Sequence, residues 1–294
     1  MIAITGATGF IGREVVRQAL AAGLPVRAVV RDPRTARLPA EVELFHGNVL
    51  YAPSLEGAFQ GCRAVIHLVG IINEWRENTF QRAHVVATQN VLDAAKRAGV
   101  KRWIQMSALG TRADARTEYH RTKWAAEEAV RKSGLAWTIL RPSLVYGEGD
   151  RGLNRLATVV RWMPVVPVLG SGQARIQPIA VEQVAHCFVR AIWTDAAVQR
   201  MYDLCGPVAL TWNELYDELM RALGVRKPKV RVPVRLAYAV GAILERTGPY
   251  PMLSRQQVLL SQEDNCGDPV PAMKDFVFEQ EPLTDYLRRR FGGR

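Results

Sequence analysis

The chain opens on a short apolar stretch, Ile2-Ala3-Ile4-Thr5, and passes at once into Gly6-Ala7-Thr8-Gly9-Phe10-Ile11-Gly12. Apolar residues then recur at helical spacing to about residue 22. No other feature constrains the fold as tightly. Three glycines in seven residues, placed between a strand and a helix, let the backbone turn sharply where a side chain would obstruct it. A strand that feeds a helix in this way is the opening of a β-α-β unit, and such units build parallel sheets covered on both faces.

The rhythm continues for about 150 residues. Runs rich in β-branched residues predict strands at 2–5, 26–30, 42–45, 64–69, 103–106 and 137–140, with helices between them at 10–22, 54–60, 80–98 and 118–132. Right-handed crossovers make that alternation a doubly wound α/β sheet. Beyond residue 150 the pattern loosens. Helices are expected at 181–193, 212–223, 234–247 and 283–291, and residues 162–168 read as an apolar, proline-broken loop. The expected organisation is a sheet domain over 1–150 and a small C-terminal α/β cap over 151–294, interleaved with the sheet and placed over its strand ends. At 294 residues and 48% hydrophobic, the chain is long enough for such a core.

Composition excludes several classes. The four cysteines show no C-x-x-C spacing, which fits neither a disulfide-rich secreted domain nor a zinc ribbon. The five histidines show no metal-ligand spacing, so no metal is expected. There is no run of about eighteen apolar residues and no basic leader before Ile2, so a soluble, cytoplasmic chain is expected. The net charge of +11 attracts anions. No nucleic-acid module accompanies it, and nucleic acid is not an expected partner.

The glycine turn has a chemical reading. Its backbone N–H groups and the N-terminus of the first helix are suited to a pyrophosphate, with Gly6, Thr8, Gly9, Phe10, Ile11 and Gly12 as the cradle. Packing alone is the competing reading of the glycines. In dinucleotide-binding folds the second strand ends in an acid that binds the adenosine ribose. Here it ends Val29-Val30-Arg31-Asp32, and Arg31 stands where a guanidinium would bind a 2′-phosphate. NADP(H) is therefore favoured, with NAD(H) the alternative because Asp32 is next door. Arg13 approaches from the first helix.

Tyr119-His120-Arg121-Thr122-Lys123 places a phenol and an ammonium one helical turn apart on a single face. The expectation is that the lysine charge lowers the phenol pKa, making Tyr119 an acid/base for hydride transfer to a carbonyl. Ser107, just past the fifth strand, would hydrogen-bond the same carbonyl. Tyr119 and Lys123 lining a pocket without turnover is the competing reading.

These motifs, with Ala64–Gly70 and Leu140–Gly147, resemble those of the atypical and extended short-chain dehydrogenase/reductases. Met106–Gly110, Gln177–Ala185 and Leu210–Leu215 narrow the resemblance to the NAD(P)H-binding accessory subunit of respiratory complex I and its bacterial relatives. The resemblance implies a Rossmann fold in which Asn48 and Val49 flank the adenine. It further implies that Leu68, Val69 and Gly70 run beneath the ribose and nicotinamide, that Lys123 reaches the nicotinamide ribose, and that Pro142 and Ser143 border the ring. An oxidoreductase acting on an apolar carbonyl or ubiquinone-like substrate is implied. A non-catalytic, nucleotide-holding assembly subunit and a nucleotide-sugar epimerase or dehydratase are the alternatives. A homodimer through helices 80–98 and 118–132 is a further expectation.

Two secondary features remain. His67, inside an apolar strand, reads as a satisfied core residue, and His120 points away from the Tyr119–Lys123 face. Residues 221–235 carry six basic side chains and no acid, and lead into the apolar stretch 234–244. A helix buried against its own domain is the favoured reading. A peripheral contact at the inner face of a membrane, with the 162–168 loop taking part, is the other.

Overall fold

The computed structural model describes residues 1–292. The first half runs β1 (Ile2–Thr5), α1 (Phe10–Ala21), β2 (Val26–Val30), β3 (Glu43–His46), β4 (Ala64–His67), α2 (Ala87–Arg97), β5 (Arg102–Met106), α3 (Glu118–Arg131) and β6 (Ala136–Pro142). The second half runs β7 (Val145–Tyr146), α4 (Gly152–Trp162), β8 (Val166–Leu169), β9 (Arg175–Ile176), β10 (Ile179–Ala180), α5 (Val181–Arg190) and β11 (Arg200–Leu204). It ends with β12 (Leu210–Thr211), α6 (Trp212–Ala222), β13 (Lys229–Val232), α7 (Val234–Leu244), α8 (Arg255–Leu260), α9 (Val270–Phe276) and α10 (Leu283–Phe291).

Seven strands form one parallel sheet in the order β11-β6-β5-β4-β1-β2-β3. Successive crossovers run one way from β1 and the other way from β4, so the crevice between the C-terminal ends of β1 and β4 is the topological switch point. β1 and β4 are buried along their whole length, as central strands covered on both faces must be. α1 covers one face with Val15, Val16 and Ala19, packed beside α5. α2 and α3 cover the other face, where Val91, Trp103 and Val130 share a core. A third core, around Tyr146, Val160, Leu215 and Leu287, lies among α4, α6, β8 and α10.

Several sequence expectations are corrected. Residues 54–60 are not an α-helix. A short 3-10 turn, Ala52–Leu55, contains Pro53 and gives way to Gly57, which takes a positive φ that a regular helix does not allow. β3 begins at Glu43, one residue late. The helix expected at 80–98 starts in wide π-helical turns, Gln81–Val86, before α2. Only residues 163–165 of 162–168 are loop, because Trp162 ends α4 and Val166–Leu169 pairs in parallel with β13. The helix expected at 234–247 ends at Leu244 and tightens into a 3-10 turn. α4, α8, α9 and β11 were not expected, and β11 joins the main sheet beside β6. α7 is also not the buried helix favoured above: of its eleven residues only Ala237 and Gly241 are buried.

Candidate active site

Backbone geometry defines the first wall. Gly6 follows β1 with φ +79°, and a Cβ there would stand 3.0 Å from the Leu68 carbonyl carbon, so the turn lies directly on the backbone after β4. Gly9 caps α1, and its N–H donates to the Gly6 carbonyl at 3.0 Å. A Cβ on Gly12 would fall 2.2 Å from that same carbonyl oxygen. Only glycine fits there. The N–H groups of Phe10, Ile11 and Gly12, at the first turn of a helix, have no intrahelical acceptor. A dinucleotide pyrophosphate fits this cradle, because backbone donors converge where side chains are sterically excluded. Thr8 is exposed, and its carbonyl accepts from Arg13 Nε at 3.1 Å.

Arg31 follows β2, exposed and without an ion pair among the described residues. Asp32 is instead turned to Arg34, 3.1 Å from its Nε, and also accepts from the Arg34 N–H. These bonds hold the Asp32 carboxyl below its ordinary pKa and commit it to Arg34. After β3, Asn48 Oδ1 accepts from Leu50 N–H at 3.0 Å, forming a turn within the loop. The Val49 carbonyl accepts from Asn90 of α2.

The second wall is made by α3. Thr117 caps the helix by accepting from the His120 N–H, which fixes where Tyr119 enters the first turn. One turn on, buried Lys123 donates from Nζ to the Met106 carbonyl at 3.3 Å, immediately before Ser107. A Cβ on Gly70 would lie 2.7 Å from the same Nζ, so Leu68-Val69-Gly70 and the end of β5 both meet Lys123. Ser107 is buried, with Oγ 3.4 Å from Thr111 Oγ1. The Pro142 carbonyl accepts from Leu109 N–H at 2.9 Å, and Ser143 Oγ donates to Asn265 Oδ1 at 2.6 Å.

Electrostatics at this wall differ from the sequence expectation. Burial raises the Tyr119 phenol to about 12, with no lowering from Lys123. Burial also lowers Lys123 to about 8, opposed in part by Glu127 one turn below. Tyr119 is packed edge-on between Phe80 and His84, with ring centroids 5.9 and 5.4 Å away, and its hydroxyl has no hydrogen-bond partner among the described residues. Low dielectric outweighs a charge that is itself desolvated.

Several residues of this wall escaped the sequence reading. Glu127, fully buried, accepts from Arg141 Nε at 2.8 Å and from Arg131 at 2.6 Å. Its spacing from Lys123 was visible, but its partners across the fold were not. His84 joins the walls, with Nδ1 2.9 Å from Thr122 Oγ1 and Nε2 3.1 Å from the Ile71 carbonyl. Asn265 donates to the Leu109 carbonyl at 2.8 Å, besides accepting from Ser143, and no local signal marks it. His67 is buried, bonded through Nδ1 to Thr5 Oγ1 at 2.6 Å, while its Nε2 has no partner among the described residues. Burial lowers it to about 3, so it is neutral. His120 packs against Gly110 and is lowered to about 4 by burial.

Comparison with known proteins adds an independent line. Residues 6–192 match a family model described as NAD(P)H-binding. The mitochondrial NADH dehydrogenase (ubiquinone) 1 alpha subcomplex subunit 9 of Arabidopsis thaliana is 31% identical over 275 residues, covering 88% of this chain and 67% of that protein. The ceramide reductase of Caulobacter vibrioides is 31% identical over 248 residues, covering 83% and 77%. Among solved structures, the NADPH-dependent quinone oxidoreductase of Escherichia coli complexed with NADPH superimposes with a TM-score of 0.79. It is 23% identical and covers 99% of this chain and all of that one.

Proposed function

The chain belongs to the NAD(P)H-binding family, as a short-chain dehydrogenase/reductase-like protein, and from that premise we propose that it is an NADPH-dependent reductase of an apolar carbonyl or quinone. One observation carries the reading: an unpartnered Tyr119 hydroxyl on the same helix face as a buried Lys123, whose Nζ meets the strand end bearing Ser107. Gly6, Gly9 and Gly12 hold the pyrophosphate, Leu68–Gly70 the nicotinamide side, and Arg31 the 2′-phosphate. A nicotinamide nucleotide bound there supplies a hydride.

The chain's own residues supply the proton and the orientation. Tyr119, with its pKa near 12, holds its proton at neutral pH and gives it to the substrate oxygen as negative charge develops there. That resting state suits reduction. Ser107 donates to the same oxygen, and Lys123, held between the Met106 carbonyl and Gly70, reaches the nicotinamide ribose. Asn265 holds Ser143 at the rim of the pocket. We infer a cytoplasmic setting at the inner face of a membrane, where an apolar quinone is met, with a respiratory assembly as partner. The Arabidopsis relative, named as a subunit of NADH dehydrogenase, favours a second reading in which nucleotide is held without turnover.

Single-turnover oxidation of bound NADPH across a panel of quinones and apolar carbonyls tests both. Rapid loss of the near-ultraviolet absorbance with one acceptor is expected. Tight binding with no oxidation by any of them would favour the nucleotide-holding role.

A further inference from the structure

α7 carries one charged side chain, Arg235, in eleven residues, yet it turns an apolar face to solvent. Leu236, Val240 and Ile243 recur at helical spacing on that face, and Ile243 is 65% exposed. The opposite face is occupied: a Cβ on Gly241 would lie 3.0 Å from the backbone nitrogen of Arg255 at the start of α8. A surface helix ordinarily reverses this arrangement. The exposed apolar surface extends beyond α7. Lys227 donates to the carbonyls of Arg161 and Met163 at 2.7 and 2.8 Å, which sets the start of β13 against the end of α4. There Trp162 stands 78% exposed. Beyond α7, the carbonyl of exposed Tyr250 accepts from Arg155, so the chain returns to α4.

The unpaired charge around this surface is positive, since Glu245 at the end of α7 is taken up by Arg255. Between residues 221 and 244 there are six basic residues and no acid. Arg221 and Lys229 are neutralised by Glu218 and Asp217 of α6. Arg226, Arg231, Arg235 and Arg246 have no ion pair among the described residues. No helix of the described residues is long and apolar enough to cross a membrane.

We propose that the edge formed by Trp162, β13 and α7 is a docking face for an anionic phospholipid leaflet, with the apolar side chains inserted below the headgroups and the unpaired arginines among the phosphates. Exposed apolar side chains ringed by unopposed cations match a surface that is apolar beneath and negative above. A second copy of this chain does not match, because it would bring the same arginines face to face. The inference rests on the membrane setting proposed above and is independent of turnover.

Flotation of the full chain with vesicles tests it, using phosphatidylcholine alone or with about one-third phosphatidylglycerol. Binding is expected to the anionic vesicles and to weaken with salt. Leu236→Glu/Ile243→Glu should weaken it at least about tenfold, and Arg231→Gln/Arg235→Gln about tenfold. Both variants alter exposed side chains, and each should keep the wild-type melting temperature, NADPH affinity and soluble NADPH oxidation. Those readouts separate failure of the docking face from failure of the reductase reading. Absence of binding to anionic vesicles, equal binding to neutral ones, or no effect of the α7 variant would overturn the proposal. A soluble dimer that the α7 variant dissociates would assign the face to a second copy and overturn it too.

Discussion

At the β1 end of the crevice the glycine turn is held by backbone alone, through the left-handed Gly6, the Gly9–Gly6 hydrogen bond and the side-chain-free approach of Gly12. At the β5 end the Tyr119–Lys123 pair is held by side chains, and its chemistry is set by how deeply the fold buries them. The first arrangement is a steric fact about seven consecutive residues, whereas the second depends on Glu127 of the same helix and on Met106, Gly70, Phe80 and His84, drawn from three other segments. A local sequence pattern thus determines a shape more directly than it determines a pKa.

Substitutions at the two ends should therefore fail differently. The largest effect is expected from Tyr119→Phe, which removes the proposed proton donor and leaves the cradle intact. Turnover should fall by about 10²–10⁴, with NADPH affinity within about twofold of wild type. Unchanged turnover would remove Tyr119 from the chemistry and leave the nucleotide-holding reading. Gly12→Ala reverses the pattern. Its Cβ would meet backbone, which cannot swing aside, so affinity for nucleotide should fall about a hundredfold. The overpacked turn should also lose roughly 1–3 kcal/mol of stability by denaturant titration. Wild-type affinity in this variant would contradict the steric account of the cradle.

Arg31→Asp has a smaller and selective effect. Arg31 has no partner among the described residues and Asp32 is already engaged by Arg34, so nothing in the apo fold depends on its charge. NADPH binding should weaken by about 10–100-fold and NADH binding by less than about threefold, measured by fluorescence titration. Equal weakening of both would mean that Arg31 does not read the 2′-phosphate.

How far the sequence could be read follows the same division. Periodicity placed α1, α3, α6 and α10 nearly to the residue, because each presents a buried stripe to a core that extends along it. It missed β11, whose partner strand β6 lies some sixty residues earlier, and Asn265, which acts only by crossing to Ser143 and Leu109. α5 and α7 make the point in burial. α5 carries Glu182, Gln183, His186 and Arg190, yet it is largely buried beside α1. α7, with one charge, is largely exposed. Composition reports what a helix can bury, and topology decides whether anything lies against it.

The smallest expected effect concerns Lys123 and reports burial itself. Its folded pKa, about 8, lies below the 10.5 of an ordinary lysine. Between those values the unfolded chain binds more protons than the folded one at this site, so stability rises with pH through that window. Below pH 8 the ammonium is charged in both states and the full cost of burying it is present. Above about 10.5 it is neutral in both, and that cost is gone. Lys123→Met has no such titration, so subtracting its melting curve isolates the contribution. Because one proton changes stability by at most about 1.4 kcal/mol per pH unit, wild type should gain only about 2 °C on the variant between pH 8 and 9. A difference that stays flat across pH 8–10 would show that Lys123 is solvated in the folded protein. Its burial, and with it the low-dielectric account of the Tyr119 wall, would then fail, while the glycine turn at the other end would be untouched.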